Sequence, residues 1–139
     1  MGSLSAAASL HLRIELHGIQ LGRPTDLLLD VDAWQVLGYV VHCGDDSVRF
    51  LPYAAAQTSP AGIAVGSALM LLEDVEFYEK RGTSFRALLG CDVRAAGILR
   101  DLIIGAGGAV TELEVEHEGA MRRVPAMGQA VAAPRLSAA

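Results

Sequence analysis

Three side chains of the types that bind zinc lie near two matching points of the chain. His42 and Cys43 are adjacent, and His117 lies at the corresponding strand end of a repeat described below. Zinc in proteins is held by three or four converging ligands. Nothing in the spacing makes these three converge, so surface positions are the better interpretation. The sequence predicts no metal site and no cofactor.

Two other features have the composition of catalytic motifs but lack their context. The stretch Gly105-Ala106-Gly107-Gly108 is glycine-rich like a phosphate loop, yet no Lys-Ser or Lys-Thr pair follows it, and a hairpin turn is the better interpretation. The serines at 59, 67 and 84 have no His and Asp context that would make a nucleophile. The sequence therefore predicts no catalytic residue and no enzyme.

Binding, rather than catalysis, is the chemistry that the aromatic residues suggest. Trp34 lies at a loop tip beside Asp30 and Asp32. A loop tryptophan can anchor in a partner's pocket, or it can fold back to cover the mouth of its own barrel. The candidate binding residues are Trp34, Tyr39 and Phe50, and the last two are equally compatible with a core or barrel-rim position.

The elements that position these residues form a repeat. The stretch from Gly22 to Pro52 recurs, degraded, from Gly97 to Pro125. Asp26 matches Asp101 at an offset of 75, and the later landmarks match at 74 and 73, as shortened hairpin loops would give. Self-similarity of this kind indicates duplication. A carboxylate repeated in both copies fits a turn or a strand start, where Asp accepts backbone N–H groups.

The pattern predicts an all-β protein made of two small β-barrels in tandem. The first unit covers residues 10–72, with alternating apolar residues predicting a strand over 10–17. Its further predicted elements are strands at 36–42, 48–51, 62–65 and 68–72, a loop at 30–35 and a turn at 43–47.

A change of character at residues 73–84 predicts a linker that is helical in part. Val75 and Tyr78 are three residues apart, and Gly82 suits a helix end. The second, shorter unit follows at 85–131. Residues 1–9 and 132–139 are predicted to be flexible termini.

Composition and charge limit the class of partner. The net charge is −5, with eleven scattered basic residues, which argues against nucleic acid. Two cysteines, with no recognisable leader, predict reduced thiols and a cytoplasmic location. The longest apolar stretch, 61–72, is shorter than the roughly 20 residues of a membrane span, so no transmembrane segment is predicted and only peripheral membrane contact stays open.

The order of these landmarks resembles the PRC-barrel domain. The shared features are Gly, then Asp followed by three aliphatic residues, a short loop, a Val-rich strand and Leu-Pro, and they cover 13–72 well and 89–125 less closely. The family includes the cytoplasmic part of a photosynthetic reaction-centre subunit and a domain of a ribosome maturation factor. The resemblance implies a small β-barrel that binds other macromolecules, with no shared catalytic residue.

The sequence therefore supports a non-enzymatic cytoplasmic adaptor that binds a protein partner through barrel loops or a sheet edge. Two alternatives stay open. One is a barrel that binds a small molecule or pigment, and the other is an assembly factor of the ribosome-maturation type. Exposed sheet edges also predict a homo-oligomer, most simply a dimer.

Overall fold

The computed structural model describes residues 3–131, and strands make up most of that stretch. The strands are β1 (Leu4–Ser5), β2 (Ile14–Leu16), β3 (Ile19–Asp30), β4 (Gln35–Cys43), β5 (Val48–Pro52), β6 (Ala56–Ser59), β7 (Gly62–Val65), β8 (Thr83–Ser84), β9 (Asp92–Val93), β10 (Gly97–Ile104), β11 (Val110–His117) and β12 (Ala120–Pro125). The α-helices are α1 (Ala6–Ser9), α2 (Val75–Glu79) and α3 (Phe85–Leu88), and short 3-10 turns occupy Tyr53–Ala55, Ala68–Met70 and Ala106–Gly108. None of the helices in this part of the chain has the length and apolar character to cross a bilayer.

The strands form two curled sheets, each the shape of half a barrel, which confirms the all-β fold class. In the first sheet the order is β5-β4-β3-β2-β7-β6, with β8 added to β3. In the second it is β1-β10-β11-β12, with β9 added to β10. The helix α2 lies within the predicted linker.

The backbone of the two sheets repeats in detail. The pairing of β3 with β4 shifts register between Pro24 and Asp26 and again after Leu28. The pairing of β10 with β11 shifts at the equivalent places, between Leu99 and Asp101 and again after Ile103. Bulges bend a strand and raise its twist, so both long strands curl at the same points.

One glycine recurs because two strands approach closely there. A Cβ on Gly22 would lie 2.6 Å from the carbonyl oxygen of His42, and one on Gly97 would lie 2.4 Å from that of Glu116. Real Cβ atoms do not approach backbone so closely. The repeated glycine is thus a packing requirement of each half-barrel.

A single core joins the two halves. Buried side chains of both sheets, among them Leu27, Tyr39, Leu102 and Leu113, belong to one continuous cluster. A smaller cluster on the outer face of the first sheet holds Phe50, against which Tyr78 of α2 stacks with ring centroids 4.1 Å apart. The helical linker therefore covers the outside of one sheet only.

The outer face of the second sheet is charged instead. Arg100 pairs with Glu116 at 2.8 Å, and Arg123 lies within 4 Å of two glutamates of β11, Glu112 and Glu114. All these pairs are partly exposed, where each ion pair contributes little stability. Within residues 3–131 the side chains of these ion pairs are therefore partly exposed to solvent.

Two predicted strands differ from the structure. Leu10 caps α1 and residues 10–12 form a turn, so the strand predicted over 10–17 is confined to β2. The segment predicted as a strand at 68–72 begins as a 3-10 turn, because the Ser67 hydroxyl accepts the amide of Leu69. In both cases a local cap overrides an apolar pattern.

The predicted boundaries differ as well. Residues 4–9 were expected in a flexible terminus, but they form β1 and α1, and both Ala6 and Ser9 are fully buried. Strand β8, placed in the linker by the sequence, is part of the first sheet. The predicted tail at 132–139 lies outside the described residues.

Candidate functional site

The three predicted binding residues are buried. Trp34 is 4% exposed, Tyr39 is fully buried and Phe50 is 2% exposed. The indole N–H of Trp34 donates to the carbonyl of Gln129 at 3.3 Å, so the ring closes its own fold, as one of the two interpretations predicted. Binding through these residues stays a prediction, against which their burial argues.

Tyr39 keeps a polar contact inside the core. Its hydroxyl lies 3.4 Å from the Thr58 hydroxyl. Burial raises the pKa of Tyr39 above its ordinary value, and the hydroxyls of Thr58 and Ser9 oppose that shift in part. The ring is therefore a neutral packing element. Trp34 and Tyr39 belong to the main core, whereas Phe50 belongs to the smaller cluster on the outer face of the first sheet, so the three residues do not line one shared pocket.

The possible zinc ligands do not come together. His42 lies 3.4 Å from Asp46 in its own turn, and His117 lies 3.0 Å from Glu118 in another. The Cys43 thiol is buried in the core. Within residues 3–131 no group of three or more potential metal-binding side chains is found.

Asp26 and Asp101 occupy matching surroundings, as the repeat predicted. Each carboxylate accepts the amide of the next residue, Leu27 at 2.8 Å and Leu102 at 2.7 Å. Each also accepts a serine hydroxyl, from Ser84 to Asp26 and from Ser5 to Asp101.

The serines that bind these aspartates begin short helices. Ser5 accepts the amide of Ala8 at 3.1 Å, and Ser84 accepts that of Ala87 at the same distance. A serine in this position is a good N-cap. We call each serine–aspartate pair, with its amide donors, a clasp.

The clasps cross between the two halves of the chain. Ser84, which precedes the second unit, binds Asp26 of the first sheet, and Ser5, which precedes the first unit, binds Asp101 of the second. Strand pairing follows the same rule, since β8 pairs with β3 and β1 pairs with β10. Each half-barrel is completed by the leading segment of the other half.

The glycine-rich stretch forms a turn at the junction of the halves, as the sequence favoured. Gln35 donates its side-chain amide to the carbonyl of Gly107 at 2.7 Å. The amide of Val110 donates to the carbonyl of Trp34 at 2.8 Å. The hairpin tips of both sheets therefore meet here.

A groove of about 540 Å³ lies beside this junction. It runs between the edge strands of the two sheets, β1 and β6, with Tyr53 and the glycine-rich turn along its length. Its lining residues are Ser3, Leu4, Tyr53, Ala54, Ala56, Thr58, Ser59, Pro60, Ile104, Gly105, Ala106 and Gly107. None of these side chains is charged at neutral pH, in a chain whose net charge is −5.

Strand β6 presents an unpaired edge to this groove. Its other edge pairs with β7, where Thr58 lies opposite Ile63. The amide of Ile63 donates to Arg13 at 2.9 Å, away from β6. Thr58 and Ile63 are therefore a non-hydrogen-bonded pair of the antiparallel ladder, and the N–H and C=O of Thr58 also point away from their partner strand.

The sequence analysis did not predict this groove. It singled out the aspartate of each clasp but not the serine. The sequence did contain a signal for the serines: Ser5 and Ser84 each precede a four-residue helix, and each stands at a similar distance before one of the two matching aspartates. The groove has no such signal, because its neutral lining residues come from three distant segments of the chain. The chain matches no known family model, and no curated protein is similar to it.

Proposed function

We propose that the chain is a non-enzymatic adaptor that binds a protein partner in the cytoplasm. The resemblance of both repeats to the PRC-barrel domain supports this proposal, because it implies a small barrel that binds macromolecules. The two unpaired thiols, Cys43 and Cys91, are buried, which suits a reducing compartment.

The observation that carries the proposal is the unpaired edge of β6 beside the neutral groove. A free strand edge offers a row of N–H and C=O groups that another chain can pair with. Proteins use such edges to bind partners, and the neighbouring side chains then give specificity. This edge lies beside the turns where the two halves meet.

The expected homodimer belongs to the same proposal. The edge strand β12 of the second sheet carries Arg122, Arg123 and Pro125. Charged residues and proline on an edge strand disfavour edge-to-edge pairing. A dimer, if formed, is expected to use another surface, and light scattering of the purified chain measures it directly.

The experiment combines capture with a titration. The tagged full chain is incubated with lysate, crosslinked and recovered, and each reproducibly enriched protein is then expressed and titrated by calorimetry. We expect at least one protein to bind in a saturable, stoichiometric way in the micromolar range, which is typical of transient adaptor contacts.

A matched control distinguishes specific binding from non-specific binding. A chain with Asp26→Ala and Asp101→Ala loses both clasps, and a partner of the folded surface should not bind it. If no captured protein binds in titration, or if all of them bind the clasp-free chain equally well, the proposal is wrong.

A further inference from the structure

The groove between β1 and β6 has the features of a site for an extended peptide. We infer that an uncharged segment of a partner protein binds there as an added strand, pairing with the edge of β6. This inference rests on the proposed function and names the surface and the class of ligand.

Hydrogen bonding is the first argument. The N–H and C=O of Thr58 point away from β7, and within residues 3–131 neither has a backbone partner. The neighbouring amide at Ala56 is already bonded to the carbonyl of Tyr53. In an extended peptide the N–H and C=O of one residue point to the same side of the strand. One such residue can therefore accept the N–H of Thr58 and donate its own N–H to the C=O of Thr58.

The shape of the groove is the second argument. Four residues of β6 span about 13 Å at the rise of a strand. The glycine-rich turn leaves room above it, since a Cβ on Gly107 would meet no atom within 4 Å. The volume, about 540 Å³, lies in the range of about 300–1,000 Å³ that ligand sites occupy. A peptide backbone with small or apolar side chains fits this space.

Charge is the third argument and selects among occupants. No lining side chain carries a charge at neutral pH, so a charged segment would lose water there without gaining a counter-charge. A second copy of the chain would bring a further net charge of −5 and would be repelled at long range. A neutral extended segment meets neither cost.

The test uses a peptide chosen without assuming its sequence. A display library of random twelve-residue peptides is selected against the full chain, and the best binder is synthesised with blocked ends and a fluorescent label. We expect enrichment of uncharged sequences. We also expect N-methylation of the peptide to weaken binding at the residue that pairs with Thr58, whose amide donates to the Thr58 carbonyl, and to have little effect at the two neighbouring residues, whose amides point away from β6.

Variants of the protein locate the site. Ala106→Trp fills the groove and should weaken binding by at least tenfold, whereas Ala120→Trp, on the exposed β12, should leave it unchanged. Thr58→Pro removes the outward N–H and should weaken binding by about tenfold. Proline is tolerated on an edge strand, and circular dichroism checks the fold of each variant.

The outcomes separate this inference from the proposed function. If the selected peptides, or a partner found by titration, bind the Ala106→Trp variant as tightly as the unmodified chain, the groove is not the site, although the adaptor function stands. A flat response to N-methylation, an empty selection, or a dimer whose formation requires the same groove would each overturn the inference.

Discussion

Breaking the clasps one at a time tests the crossed arrangement of the chain. Asp101→Ala removes an acceptor that binds the Ser5 hydroxyl at 2.5 Å and the amides of Ala7 and Leu102 at 3.0 and 2.7 Å. Hydrogen bonds to a charged group contribute about 1.5–3 kcal/mol each when well shielded. Because this carboxylate is only half-buried, we expect a total loss of about 2–4 kcal/mol. That is a large share of the roughly 5–15 kcal/mol by which domains are stable.

A double-mutant cycle then identifies the partner of the aspartate. Urea unfolding followed by circular dichroism gives the free energy of unfolding for Asp101→Ala, Ser5→Ala and the double variant. We expect a coupling of about 1–2 kcal/mol between these two residues. Ser84 and Asp101 should instead be additive to within about 0.5 kcal/mol.

The matched control is Asp92→Ala, which removes an exposed carboxylate that makes no side-chain hydrogen bond within the described part of the chain. It should change stability by less than about 0.5 kcal/mol. The crossed arrangement is refuted if the coupling instead appears between Ser84 and Asp101, since each unit would then hold its own leading segment.

Three further predictions concern the core. Burial raises the pKa of Tyr39 above its ordinary value of 10.0, so the neutral phenol contributes stability that is complete below about pH 10 and is lost as the pH rises further. Tyr39→Phe should flatten this alkaline loss of the free energy of unfolding in urea titrations between about pH 8 and 11. Trp34, the single tryptophan, should show blue-shifted emission and weak quenching by acrylamide, and a red emission maximum in native buffer would contradict its burial. Gly22→Ala should cost about 1–3 kcal/mol through overpacking, whereas Gly44→Ala, which meets no atom within 4 Å, should cost less than about 1 kcal/mol by thermal unfolding.

The fold could be predicted to the extent that it depends on local pattern and internal repetition. The alternation of side chains, the turn chemistry around Gly44 and the match of Asp26 with Asp101 led to an all-β protein of two similar halves. These signals are local or compare two stretches of one chain, so they need no knowledge of which strands pair.

The exchange of leading segments between the two halves could not be predicted in the same way. Residues 4–9 are rich in alanine and serine, and their sequence resembles that of a frayed terminus. These residues are ordered by their contact with β10. The hydrogen bond from Ser5 to Asp101 in that contact joins residues that are 96 positions apart. Composition alone contains no information on such a distant contact.

Trp34 shows a similar limit at the candidate site. A polar loop with a tryptophan is compatible with an exposed anchor or a buried plug, and only the position of Gln129 decides between them. The groove beside β6 is still less visible in the sequence, because main-chain atoms and small side chains form it. A site that binds through main-chain N–H and C=O groups can be built from many residue types, so the sequence does not identify it.

The crossed clasps also constrain how a newly made chain reaches its final form. Strand β1 is synthesised almost a hundred residues before its pairing strand β10, and β3 is synthesised before its pairing strand β8. Such long-range closure is entropically costly and slow. Because each half requires a segment of the other, folding should be completed in one late, concerted step, and a nascent chain should remain susceptible to proteases until β12, which ends at Pro125, has emerged.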